Sequence, residues 1–139
     1  MLKITRFTLE SHTGPYGTWP ETTRLIADGN MLALAIPGYQ LLRQFETEAG
    51  YLLVTDYDSA YEEAISFTLI DKSCTQILST RQISAPHESY GLGDIIWKDQ
   101  WRFDATIEHT GMVASFTIRK FNIPGFYPQL GMLLSRSGM

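Results

Sequence analysis

Three histidines, a single cysteine and a short run of carboxylates are the side chains here best equipped for chemistry. A catalytic centre needs a nucleophile within reach of a base, a carboxylate pair, or ligands converging on one point. His12, His87 and His109 lie far apart, without His-x-x-x-His spacing and with no Cys-x-x-Cys to join them, so no metal site is expected. His87 precedes Glu88 in the loop "SAPHESYGLGD". Loops carry function disproportionately, which makes this pair a candidate binding element. "TDYDSAYEE" gathers Asp56, Asp58, Glu62 and Glu63, oxygen ligands suited to a hard cation. It lacks the sixth-position glycine and flanking helices of an EF-hand and reads as a solvated acidic loop. Cys74 lies two residues from Lys72, a cation that would lower a thiol pKa, yet no histidine is placed to activate it. It reads as an exposed bystander thiol. There is no nucleophile elbow, phosphate loop or dinucleotide fingerprint. We expect no catalytic residue and no cofactor, which favours a binding module over an enzyme.

The chain also holds seven Phe, seven Tyr and three Trp. Most must be core, but Tyr16, Trp19, Tyr90, Phe126 and Tyr127 fall in Gly- and Pro-rich loops. Loop rings contribute large contact area with few rotors, so they suit a recognition surface; equally, they can fold inward as plugs. With His87 and Glu88 they make up the candidate binding set.

The elements that position these loops are strands. In "WRFDATIEHTGMVASFTIRK", residues 101–120, apolar and polar side chains alternate, as they must when successive residues point to opposite faces. With Thr110 and Gly111 as a two-residue loop, His109 would pair with Met112, Ile107 with Ala114, Ala105 with Phe116 and Phe103 with Ile118. The wet face would then set Arg102 opposite Arg119, and His109 would end the oily face. "DGN" at residues 28–30 is a second hairpin signal, between strands at 24–27 and 31–36. The nearly apolar run 31–36 predicts a strand buried on both faces. Further strands are expected at 3–10, 40–47, 51–57, 64–70, 75–83, 95–97 and 130–134.

That makes about nine to ten short strands with little or no helix: an all-β chain, folded as one antiparallel barrel or sandwich over residues 1–139. A hydrophobic fraction of 44% and a charged fraction of 19% describe an ordinary globule with a real core. The net charge of −4 argues against nucleic acid, and no apolar run reaches the length needed to cross a bilayer. One cysteine and an N-terminus without an uninterrupted apolar stretch predict a cytoplasmic setting. Open sheets expose edges, and pairing with a second copy would cover them. We therefore expect a non-catalytic protein-interaction module whose partner is another protein or a second copy, as a homodimer.

Two motifs resemble lipocalins. "GTW" at Gly17, Thr18 and Trp19 is similar to the Gly-x-Trp of that family, and "TDYDSAY" at residues 55–61 to its Thr-Asp-Tyr-x-x-Tyr, with Arg81 downstream at a basic position. The resemblance implies an eight-stranded calycin cup holding a small apolar ligand, as a carrier or as an enzyme built in that cavity. Departures are the short gap between Trp19 and Thr55, Pro20 inside the first barrel strand, and strands where the family has a helix.

Overall fold

The computed structural model describes residues 1–57, 64–84, 91–121 and 128–136. Among these, twelve strands run in chain order: β1 (Leu2–Lys3), β2 (Phe7–Leu9), β3 (Thr22–Ala27), β4 (Asn30–Pro37), β5 (Gln40–Glu46), β6 (Tyr51–Asp56), β7 (Ala64–Ile70), β8 (Ile77–Ser84), β9 (Leu92–Trp97), β10 (Arg102–Ile107), β11 (Met112–Ile118) and β12 (Leu130–Arg136). The only helical element among the described residues is one 3-10 turn, Tyr16–Thr18. All pairings are antiparallel, and the strands form three open sheets ordered β1-β5-β6-β7-β8, β12-β11-β10-β9 and β2-β3-β4. None closes on itself, so the architecture is a sandwich and not a barrel.

The sheets stack in three layers, with the five-stranded sheet in the middle. Because side chains alternate, β6 sends Leu52 and Val54 to one face and Tyr51 and Leu53 to the other. On the first face they meet Ile65, Phe67 and Leu69 of β7 and the four-stranded sheet, through Phe103, Ala105, Ile107, Ala114, Phe116 and Ile118. On the second they meet Phe7, Leu25, Ala27 and Ile36 of the three-stranded sheet. Every residue of β7 is therefore buried, Ser66 and Thr68 included. Each fully buried large apolar side chain contributes about 1.5–3 kcal/mol, so two dry interfaces sharing one sheet supply most of the stability.

The central sheet and the three-stranded sheet are joined where the chain changes sheet at residues 4–6, which splits the single strand expected at 3–10 into β1 and β2. The Gln44 side-chain amide holds the corner, accepting from the Phe7 N–H (2.8 Å) and donating to the Phe7 carbonyl (2.9 Å). Arg6 adds to it, donating to Asp28 at 2.9 Å and to the Tyr51 hydroxyl at 2.6 Å.

The β3–β4 turn is the expected one. Asp28 and Gly29 adopt φ of +51° and +83°, the two positive values a type I′ hairpin requires. The run 31–36, however, is not buried on both faces: Met31 and Ala33 face solvent, because the outer sheet has only one neighbour. The β10–β11 hairpin keeps its expected facing but not its register. Phe103 pairs with Phe116 and Ala105 with Ala114, a slip of two residues. A slip of two leaves every side chain on its own face, so alternation alone cannot detect it. The loop is residues 108–111, closed by Thr110, whose hydroxyl donates to the Ile107 carbonyl and accepts from Met112 N–H (3.0 Å each). His109 sits exposed in that turn with φ +62° and does not end the oily face. Arg102 consequently lies opposite Thr117, not Arg119, and bonds Asp99 at 2.9 Å.

Candidate functional site

At one end of the sandwich, loops from three parts of the chain bring five aromatic rings together. Residues 10–21 supply His12, Tyr16 and Trp19, the β4–β5 turn supplies Tyr39, and the end of β6 supplies Tyr57. Tyr39 is the hub. Its ring centroid lies 5.3 Å from His12, 5.6 Å from Tyr16, 5.2 Å from Trp19 and 4.9 Å from Tyr57, each contact edge-on. Edge-to-face pairs set the positive rim of one ring against the negative face of the next, adding to what area burial contributes.

Local chemistry places each ring. Gly38, at φ +105°, lets the turn pass close to β6; an added Cβ would meet the Thr55 hydroxyl. That approach allows Tyr39 N–H to donate to the Asp56 carbonyl at 2.8 Å. The ring tips are tied back to the loop: Tyr39 donates to the Pro20 carbonyl (2.7 Å), Tyr57 to Glu21 (3.2 Å), and the Trp19 indole N–H is shared between the carbonyls of Thr13 and Gly14 (3.2 Å each). His12 Nε2 lies 2.8 Å from the buried Thr23 hydroxyl, which donates its proton to the Gly38 carbonyl at 2.6 Å. The hydroxyl must therefore accept from the imidazole, which places a proton on Nε2. All five rings remain half-exposed, so the cluster is neither a dry plug nor a set of free side chains.

Of the residues expected to bind, the structure brings Tyr16 and Trp19 together. His87, Glu88, Tyr90, Phe126 and Tyr127 lie outside the described residues, as do Asp58, Glu62 and Glu63 of the acidic run. Sequence reasoning passed over His12, Tyr39 and Tyr57. Tyr39 follows a Pro-Gly turn and Tyr57 ends an extended run, so both sit where loops gather at a sheet end.

The Cys74 thiol is buried, not exposed. It packs beside Tyr51, Leu53 and Ile70 under the β7–β8 turn, and burial pushes its pKa up, away from the reactive thiolate. That turn is organised by Asp71, whose carboxylate accepts from the Ser73 hydroxyl (2.6 Å), the Thr75 hydroxyl and N–H (2.8 Å each) and the Gln76 N–H (3.1 Å). Burial opposes the charge, but donation from Ser73, Gln76 and Thr75 outweighs it and holds the carboxyl well below the usual range. A depressed pKa stabilises the fold above the unfolded value of about 3.9 and is lost as pH falls below it. We expect Asp71→Ala to cost on the order of 1–2 kcal/mol at pH 7, allowing for solvent screening at this half-exposed site. Urea melts should show the gap to the unmodified protein narrowing as pH drops below about 4.

Among the described residues, two of the surface grooves are open to solvent. One, of about 590 Å³, runs between Lys3, Ile4, Thr5 and Leu41, Leu42, Arg43, Gln44. The other, of about 390 Å³, lies between Lys3, Arg43, Phe45 and Asp94, Ile95, Trp97. Among the described residues no three His, Cys, Asp or Glu side chains converge to hold a metal ion, and no helix is long and apolar enough to cross a membrane. Compared with models of protein families, with curated proteins and with solved structures, the chain matches none.

Proposed function

We propose that this protein is a non-catalytic interaction module that meets a protein partner through the aromatic corner. The observation that carries this reading is the convergence of His12, Tyr16, Trp19, Tyr39 and Tyr57 at one end of the sandwich, all half-exposed. Interface hot spots favour rings of this kind, which contribute area at small entropic cost and carry polar tips for a wet rim. Their tethering to loop carbonyls supports the reading further, because a pre-organised surface loses less entropy on binding. A buried, unpaired cysteine suits a reducing compartment, and we place the protein in the cytoplasm.

The test compares immobilised unmodified protein with the Tyr16→Ser/Trp19→Ser double variant for the proteins each retains from its native extract. The rings pack on loops, so the variant should keep its fold and lose at most about 2 kcal/mol. We expect at least one partner retained by the unmodified protein to be depleted tenfold or more by the variant. Equal retention by both would overturn the role of the corner. A thermal shift raised by fatty acids or retinoids, and no such partner, would favour an apolar-ligand carrier.

A further inference from the structure

We infer that the outer edge of β12 is the interface for a second copy of this chain, paired antiparallel about a two-fold axis at Leu134. This goes beyond the aromatic corner and uses a different sheet. A strand at a sheet edge presents unpaired N–H and C=O groups, and natural proteins blunt such edges. Among the described residues, every other edge is blunted. β1 has only two residues. The outer groups of Phe7 in β2 are taken by the Gln44 amide. β4 slips register by two residues between Arg24 and Ile26, where Arg24 bonds the Leu32 carbonyl, and it ends in Pro37. β8 carries Arg81, and β9 carries Asp94 and a bulge against β10.

From Gly131 to Ser135, β12 has none of these devices. Its seven residues pair with β11 in unbroken register and contain no proline; their only charge is Arg136, at the end. Leu133 is 71% exposed and Leu134 46%, on opposite faces of the strand. The backbone fixes which groups point outward. Arg119 N–H donates to the Gln129 carbonyl at 2.7 Å, so residue 129 turns its polar groups toward β11. By alternation residues 131, 133 and 135 do the same, and 130, 132, 134 and 136 turn theirs away. The Leu130 carbonyl is occupied by Arg81 Nε at 2.9 Å. Among the described residues, nothing bonds the outward groups of Met132, Leu134 and Arg136.

That pattern selects the occupant. Three alternate open residues match their own copy in one antiparallel register: Leu134 opposite Leu134, and Met132 opposite Arg136 twice. The two arginines then lie at opposite ends, away from one another, and Leu133 sits beside the small Ser135 of the other copy on the outer face. The two four-stranded sheets become one of eight strands. Such a contact is isologous and closes at two copies. Five residues bury less than a standard interface, so the dimer should dissociate on dilution.

Sedimentation equilibrium over a concentration series tests this. The unmodified chain should rise from one to two chain masses and stop there. Leu134→Pro removes the central outward donor without touching a bond to β11, and should weaken association at least tenfold. Should that variant misfold, Leu134→Cys in a Cys74→Ala background gives a second readout. Its two thiols would lie on residues about 5.5 Å apart between Cα atoms, within disulfide range, and mild oxidation should yield a covalent dimer through residue 134. The Tyr16→Ser/Trp19→Ser variant should dimerise as the unmodified chain does, which separates this interface from the aromatic corner. A monomer up to millimolar concentration, oligomers beyond two, or a dimer that survives Leu134→Pro but not Tyr16→Ser/Trp19→Ser would overturn the inference. So would a dimer whose Leu134→Cys form fails to cross-link.

Discussion

Phe116→Asp should leave the chain unfolded at room temperature. Phe116 is 2% exposed on β11 and faces the central sheet. Its ring stacks on Phe103 at 4.6 Å with a 9° interplanar angle, and packs on Phe67 at 4.3 Å. These three rings, from β7, β10 and β11, join the four-stranded sheet to the central one. Aspartate removes the ring and brings a carboxylate into a cluster of buried apolar side chains. Losing a buried Phe costs about 3–5 kcal/mol by itself, and an unpaired buried charge adds several more. Against a typical total of 5–15 kcal/mol, that sum abolishes cooperative folding. Circular dichroism should show loss of the strand signal and no melting transition. Phe116→Leu keeps an apolar side chain and should retain a transition at lower temperature.

Gly50→Ala is the second large effect. Gly50 is buried at the end of the β5–β6 turn, where its carbonyl accepts from the Thr47 N–H and hydroxyl at 2.8 Å each. Its α-carbon passes so close to β7 that an added Cβ would run into the Ile70 carbonyl oxygen. The obstacle is backbone, not a flexible side-chain end, so the turn must move away from β7. That movement strains the Tyr51–Ile70 pairing and the Thr47 bonds together. We expect a loss of about 3 kcal/mol or more and a fall in Tm on the order of 10 °C, read by calorimetry. A Tm change under about 2 °C would mean that the turn has room to spare.

Much of this fold was legible locally. Asp28-Gly29 announced its hairpin because few residue pairs accept two positive φ angles, and the facing of β10 and β11 followed from alternation. The register of that hairpin was not legible, since Thr110 closes a four-residue loop with its own hydroxyl and the slip is even. Layering was harder. "MLALAI" looks more apolar than "AISFTLI", yet the second is the strand sealed on both faces. Ser66 and Thr68 disguise it; Ser66 is satisfied by Gln82 at 3.0 Å. Burial of this kind depends on which sheets stack, and that depends on the corner at residues 4–6 and on Gln44, a polar residue that composition gives no reason to notice. Within the candidate site, Tyr16 and Trp19 could be found from their Gly- and Pro-rich loop. Tyr39 and Tyr57 could not, because they reach the same corner only through the pairing of β5 with β6.

The central claim is that the five-stranded sheet is enclosed by a sheet on each face, and native-state hydrogen exchange tests it most directly. Amides of β6 and β7 should exchange last, through global unfolding alone, while those of β4 exchange through local opening. Amides of Ala64–Ile70 exchanging as fast as those of Asn30–Pro37 would mean that one face of the central sheet is open to water, and the three-layer account would be wrong.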